Sequence, residues 1–315
     1  MGYTCVNDLI SGIKKRDWIA LSKAITIVEN DYEGKKELLD FAYKNSRESC
    51  LVFGITGSGG AGKSTVIDCL MTHYKRQGKS VGVMAVDPSS GYTGGAVLGD
   101  RVRMGSQIMS EDLFIRSFAS RGSLGGISQG AKDVLYLYKA FVFDIIILES
   151  YGVGQAETDI SNFADVTAVV MVPGYGDHIQ MAKAGTQEIA DVFVVNKADH
   201  PQADFLYSSL LSTFSKVPEE RRPDIVKTIA KDHRGTVELA ELLIKKAQRL
   251  LSNRQKKRRL RILNEISTNA YQVFLPFFMK EAEKILTDVL NGDITPYEAA
   301  NNLGARIILK ETDTV

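Results

Sequence analysis

Apolar residues follow two kinds of pattern along this chain, and the change between them marks its organisation. Between residues 6 and 44 they recur at helical spacing, as Leu9, Ile13, Trp18, Leu21, Ala24, Ile25 and Val28, then Leu38, Leu39 and Tyr43. Gly34 separates two amphipathic pieces, and together they predict a small helical lead-in. At Cys50 the pattern switches to short continuous runs at 51–56, 80–86, 143–148, 166–172, 192–195 and 225–229. Continuous apolarity over a strand's length means burial on both faces, the condition of a parallel sheet covered by helices. Helical stretches, among them residues 63–77 and 132–140, lie between the runs. The alternation predicts a doubly wound, mainly parallel α/β domain over residues 50–250, after a helical extension at 1–49 and before a helical arm at 251–315. In the arm, residues 271–290 carry a helical apolar stripe. Thr295-Pro296-Tyr297-Glu298 reads as a helix start, with Thr295 as N-cap and Glu298 completing a capping box.

Composition narrows the class. With 315 residues the chain can bury a substantial core. Its 39 Lys and Arg nearly balance 38 Asp and Glu, so no global field points to nucleic acid or an acidic membrane as the main partner. The basic run of Arg254, Lys256, Lys257, Arg258, Arg259 and Arg261 lacks interleaved aromatics and reads as a solvated helix face. Cys5, Cys50 and Cys69 are scattered, which suits a reducing compartment and no Cys-based zinc site. The first 17 residues show neither an apolar signal segment nor transit-peptide character, and no apolar run is long enough to span a bilayer. The expectation is a cytoplasmic protein.

The strongest chemical signal is Gly57-Ser58-Gly59-Gly60-Ala61-Gly62-Lys63-Ser64, continuing into Thr65. It fits GxxxxGK[ST], follows a strand-like run and opens a helix-like one, the context that a phosphate-binding loop requires. Glycines let backbone N–H groups converge on phosphate, and the helix amino terminus adds positive potential. Lys63 is placed to pair with the β- and γ-phosphates, and the Ser64 hydroxyl to ligate Mg²⁺.

The second signal is Asn196-Lys197-Ala198-Asp199, which fits the NKxD guanine-recognition loop. A carboxylate at Asp199 can accept from guanine N1–H and the 2-amino group, whereas adenine would leave it unpaired and desolvated. Four residues alone also fit a solvated turn. Their place at the carboxyl end of a strand, in a chain with a phosphate loop, favours the guanine reading. Thr228-Ile229-Ala230 ends the last predicted strand, and the Ala230 backbone is either a contact for the base oxygen or a plain strand end.

Carboxylates for the metal come from Asp87, Asp100 and Glu149, each of which is alternatively a turn or helix cap. Glu149-x-x-Gly152 stands where many GTPases have DxxG, whose glycine N–H senses the γ-phosphate. Val153 follows that glycine and cannot orient an attacking water, so Gln155 is the candidate beside Lys63 and Glu149 in catalysis. Slow intrinsic hydrolysis, accelerated by a partner, is expected. The loop at 173–183 is either a nucleotide-responsive switch or an ordinary βα loop, and the aromatics at 271–278 pack within the arm or across a dimer interface.

In this order the motifs closely resemble the MeaB/ArgK family of metallochaperone-type P-loop GTPases, which includes the methylmalonic aciduria type A protein. The resemblance takes in Ala24-Ile25-Thr26-Ile27-Val28-Glu29, the phosphate loop, Val86-Asp87-Pro88-Ser89-Ser90, Thr93-Gly94-Gly95 through Gly99-Asp100, Gly152-Val153-Gly154-Gln155 and the NKxD loop. Glu149 in place of the usual Asp marks the wider class, the SIMIBI GTPases. The resemblance implies a homodimer with a helical N-terminal extension and a C-terminal dimerisation arm. It implies GTP/GDP and Mg²⁺ as cofactors, with no cobalamin held by this chain itself. The implied partner is an adenosylcobalamin-dependent acyl-CoA mutase such as methylmalonyl-CoA mutase, whose cofactor loading is gated and which is protected or reactivated; its adenosyltransferase is a further candidate. Asp87, Asp100 and Glu149 match the family's metal-site acids, and Asp177, Gln180 and Lys183 its third switch loop. Two departures bear on the client rather than on nucleotide binding. The usual Glu-Thr-Val-Gly is here Glu149-Ser150-Tyr151-Gly152, and Ser58-Gly59-Gly60 stands where a proline is common.

Three other readings compete: a nickel-delivery GTPase of the hydrogenase or urease type, a kinase or transport ATPase as the ArgK name once implied, and a structural partner that merely retains nucleotide. The nickel reading generally needs Cys or His ligands, which are few here. The NKxD loop argues against an ATPase.

Overall fold

The computed structural model describes residues 5–47, 49–87, 113–119, 129–150, 160–174 and 189–312. The chain divides into two compact units, Met1–Arg254 and Gln255–Val315.

Among the described residues, seven strands organise the first unit: β1 (Leu51–Gly57), β2 (Val81–Asp87), β3 (Leu113–Ala119), β4 (Ile145–Ser150), β5 (Val166–Met171), β6 (Val192–Val195) and β7 (Asp224–Lys227). They form one parallel sheet in the order β3-β2-β4-β1-β5-β6-β7. Because side chains alternate across a strand, each apolar run supplies two faces. Ile145 and Ile147 of β4 join one core with Phe53 and Ile55 of β1 and Val192 and Val194 of β6. Their neighbours Ile146 and Leu148 join a second core on the opposite face, and Phe193 and Val195 a third.

Helices cover both faces. On one lie α1 (Val6–Lys14), α2 (Trp18–Glu29), α3 (Lys35–Asn45) and α5 (Gln129–Ala140); α4 (Lys63–Arg76), between β1 and β2, covers the other. The lead-in thus has three helices, where periodicity suggested two pieces split at Gly34. The extra break falls before Asp17, whose carboxylate accepts from Ile19 N–H (2.8 Å) and Ala20 N–H (3.4 Å) and so starts α2 afresh. Leu21, Ala24, Ile25 and Leu38 pack with Tyr138, Phe141 and Phe143. Trp18 lies 4.6 Å from the Phe141 ring and stacks on Phe114 at 5.7 Å.

Strand β3 is the element that pattern reading missed. It sits at the sheet edge, paired with β2, and Arg116 interrupts its apolar run. The Arg116 guanidinium donates to Ser22 O, Ser22 Oγ, Thr26 Oγ1 and Glu29 Oε2, tying this edge to α2.

On the other face α4 packs with α7 (Thr236–Arg249), where the buried Tyr74 hydroxyl donates to Ala240 O at 2.9 Å. Helix α6 (Ala203–Phe214) covers Phe193 and Val195 with Leu206, Leu210 and Phe214. Where the strands begin, aspartates take up amides that have no ladder partner. Asp144 Oδ2 accepts from Ser80 N–H, Asp165 Oδ2 from Val52 N–H and Asp191 Oδ2 from Thr167 N–H, each at 2.8 Å. The last strand ends at Lys227 rather than at residue 229, and Ala230–Asp232 turn as a short 3₁₀ helix.

The second unit is helical. Helix α8 (Leu251–Glu283), which contains Pro276, is followed by α9 (Leu286–Leu290) and α10 (Pro296–Thr312). The capping box at α10 has the predicted geometry: Thr295 N–H donates to Glu298 Oε2 (2.8 Å), and Glu298 N–H donates back to Thr295 Oγ1 (3.1 Å). No helix among the described residues is long and apolar enough to cross a membrane.

Candidate functional site

In an open parallel sheet, ligands bind beyond the carboxyl ends of the strands where the connection order reverses. Here that point is β1, flanked by β4 and β5. The chain leaves β1 through residues 57–62 and enters α4 at Lys63. Gly57 has φ +141°, and a Cβ there would stand 2.1 Å from Val170 O of the adjacent strand. Gly62 caps α4 at φ +86°, and a Cβ would stand 2.4 Å from Asn196 Nδ2. Both are glycines by geometric necessity. The loop therefore folds back tightly over the amino end of α4, the arrangement that presents amides and helix dipole to an anion.

Lys63 is buried, and its ammonium donates to Gly57 O (2.8 Å) and Ser58 O (3.0 Å), so it lies inside the loop. The next residue, Ser64, donates from Oγ to Glu149 Oε1 at 3.0 Å. Glu149 is 2% exposed at the end of β4, which places a buried carboxylate beside the hydroxyl that begins the helix. These are hard oxygen donors, the type that Mg²⁺ takes. Asp87 ends β2, whose Val86 is in register with Ser150 of β4, so its backbone reaches the same rim of the sheet. Thr65 is exposed and Ala61 buried, while Ser58, Gly59 and Gly60 line the loop. Asp100, Gly152, Gln155, Asp177, Gln180 and Lys183 lie outside the described residues.

The second loop follows β6. Asn196 is its hub: Nδ2 donates to Ala61 O (2.9 Å) in the phosphate loop. Its Oδ1 accepts from Thr228 Oγ1 (3.0 Å) and from Ala230 N–H (3.2 Å). One buried amide thus ties three segments together. Lys197 adopts the left-handed conformation (φ +55°), an uncommon state for a residue with a Cβ, and its ammonium reaches Gly60 O at 3.1 Å. Ala198 N–H donates to Thr228 O at 3.0 Å. Two residues past Lys197, Asp199 Oδ2 pairs with the Lys231 ammonium at 2.8 Å. That bond first, then a backbone hydrogen bond and the neighbouring His200, hold the Asp199 carboxyl below the ordinary carboxylate range.

The sequence motifs at 57–64, 149 and 196–199 therefore meet at one end of the sheet. The amide of Ala230, whose segment reads from sequence either as a contact for the base oxygen or as a plain strand end, donates to Asn196 Oδ1. Lys231, one residue beyond the motif at 228–230, carries no signal of its own in the sequence, and only the fold brings it to Asp199. Ala61 reads from sequence as part of the phosphate loop and Thr228 as part of a strand end, but their bonds to Asn196 join segments 135 and 32 residues apart in sequence, respectively.

A phosphate loop after a central parallel strand, an acidic residue beside its Ser64, and an NKxD loop tied to it define a P-loop GTPase. Comparison with known proteins then gives the family. Residues 21–279 match the family described as Methylmalonyl Co-A mutase-associated GTPase MeaB. A protein of Pyrococcus horikoshii named as a GTPase is 41% identical over 96% of this chain and 98% of its own. The mouse "methylmalonic aciduria type A homolog, mitochondrial" is 30% identical over 95% of this chain and 78% of its own. The crystal structure of an LAO/AO transport system kinase superposes with a TM-score of 0.72 at 24% identity, covering 98% and 99% of the two chains, a likeness of fold. The chain belongs to the MeaB family of GTPases.

Proposed function

We propose that this GTPase is the nucleotide-driven chaperone of an adenosylcobalamin-dependent acyl-CoA mutase, gating cofactor loading and protecting or reactivating its client. The reading rests on one observation, the match of residues 21–279 to a family described by its association with methylmalonyl-CoA mutase.

The site's residues take the following roles. Amides of residues 57–62 and the amino end of α4 enclose the phosphates, and Lys63 leaves its two loop carbonyls to meet their negative charge. Asp199 reads the guanine edge, while Asn196 keeps the base loop and the phosphate loop in fixed relation. Ser64 and Glu149, with Asp87 and Asp100 as further acids, would hold Mg²⁺, which when bound offsets charge developing on the phosphates. Gln155 orients the attacking water, Gly152 senses the γ-phosphate, and Asp177, Gln180 and Lys183 respond to the nucleotide state. Because Val153 follows Gly152, intrinsic hydrolysis is slow and the client accelerates it.

The arm serves homodimerisation. Val273, Phe274, Tyr271 and Met279 of α8 are exposed within their unit, apolar surface that a second copy would cover. The client's adenosyltransferase is a further partner in this scheme.

Affinity capture from the native cell, with and without a non-hydrolysable GTP analogue, tests the reading. Nucleotide-dependent recovery of a cobalamin-dependent mutase is expected; its repeated absence would overturn the chaperone assignment and leave the GTPase.

A further inference from the structure

Guanine recognition by an aspartate has a weakness that its own chemistry creates. An ionised carboxylate offers only acceptors, which suits guanine N1–H and the 2-amino group. A protonated one offers an O–H donor, which suits adenine N1. The purine that the loop accepts therefore depends on how Asp199 is turned and on whether it is charged.

We propose that Lys231 is a positioning residue for purine choice: its ammonium holds the Asp199 carboxylate aimed for guanine, and thereby disfavours adenine. The proposal rests on the reading of Asp199 as the base-selecting residue. Lys231 Nζ stands 2.8 Å from Asp199 Oδ2, with the two side chains 66% and 43% exposed. An ion pair this exposed contributes little to folding, so its value lies in what it does to the carboxylate. Nor is the pairing an accident of two loose turns. The segments that hold it are tied by Ala198 N–H to Thr228 O (3.0 Å) and by Asn196 Oδ1 to Thr228 Oγ1 (3.0 Å) and Ala230 N–H (3.2 Å).

The hydrogen-bond inventory closes. A carboxylate has about four lone-pair positions. Lys231 takes one on Oδ2 and a backbone hydrogen bond takes another, leaving two for the two guanine donors. The charged groups facing the pair are His200 beside Asp199 and Asp232 beside Lys231. Lys231 is the largest of the influences that favour the ionised form. Without it the carboxylate turns more freely, which weakens guanine relative to adenine.

Calorimetry of the full chain with GDP and with ADP, at about pH 7.5 and about pH 5, tests this on wild type, Lys231→Met, Lys231→Arg, Asp199→Asn and the Asp199→Asn/Lys231→Met double variant. The two nucleotides share the same phosphates, so phosphate titration cancels in their affinity ratio. His200 is common to all the variants and cancels in comparison with wild type. For Lys231→Met the GDP-to-ADP ratio falls about two- to fivefold at both pH values, the scale of an exposed ion pair. Lys231→Arg keeps the charge and most of the ratio. In the Asp199→Asn background, Lys231→Met changes nothing more, because its effect runs through the carboxylate. A ratio untouched by Lys231→Met at both pH values, an Arg variant as impaired as the Met variant, or additive losses in the double variant would each overturn the proposal. A wild type without guanine preference would instead sink the reading of Asp199 itself, and this proposal with it.

Discussion

Single side chains do most of the positioning in this site. Asn196 is the clearest: it satisfies Ala61 O, Thr228 Oγ1 and Ala230 N–H from a buried position. Asn196→Ala leaves those groups unpaired, at about 1–3 kcal/mol for each one that stays dry. A stability loss of about 2–4 kcal/mol is therefore expected in urea unfolding, together with loss of GTP affinity. At Lys63 the expectation separates from stability. Lys63→Ala removes the phosphate-facing charge, and calorimetry with GTP and magnesium should detect no binding at concentrations that saturate the wild type. The residues in this network were legible in the sequence to different degrees. Gly57, Gly62, Lys63, Ser64, Asn196 and Asp199 announce themselves because loop chemistry allows few other residues at that spacing. Lys231 does not, since a lysine after a strand is ordinary until the fold brings it to Asp199.

Elements were legible where both of their faces are buried. Strands β1, β2, β4, β5 and β6 carry continuous apolar runs because helices cover them on both sides. Strand β3 escaped notice since an edge position tolerates Arg116 in mid-strand, and only the fold shows that the guanidinium binds α2. Arg116→Met keeps the apolar stem and removes these bonds. It should cost about 1.5–3 kcal/mol, the range for hydrogen bonds to a charged group. Trp18, the chain's one tryptophan, reports on the same contact. Its ring stacks on Phe114 of β3, so its emission should shift to the red before global unfolding in the variant. At α10 the hydrogen bonds from the Thr295 backbone and hydroxyl lower the Glu298 carboxyl below its usual value. A depressed folded pKa stabilises above the unfolded value and loses that contribution as pH falls through the folded one. Glu298→Gln should therefore speed amide exchange at Thr295 near neutrality, and the difference from wild type should shrink as pH falls through the depressed folded value of Glu298.

At the scale of the whole molecule, the sheet sets the phosphate-loop motif, the buried acid Glu149 and the NKxD motif along one rim, and the helical lead-in shares a core with the sheet's other face. The arm contributes a different kind of surface. Val273 is 76% exposed and Tyr271 56%, values that invite a cover. In the proposed homodimer, Val273→Glu would place a charge in the interface, and light scattering should then report a mass near that of one chain, with GTP affinity unchanged. Apolar spacing showed that the arm is helical; what its exposed stripe meets is a property of an assembly, which one chain's periodicity cannot encode.

Gly62 and Asn196 also constrain how this sequence can drift. A methyl group at 62 collides with the amide of Asn196, and shortening 196 to make room strands Thr228 and Ala230. Neither position has a tolerable single step away from its present occupant. A side chain at 62 would stay strained at φ +86° even with 196 shortened, so both residues are expected to be retained.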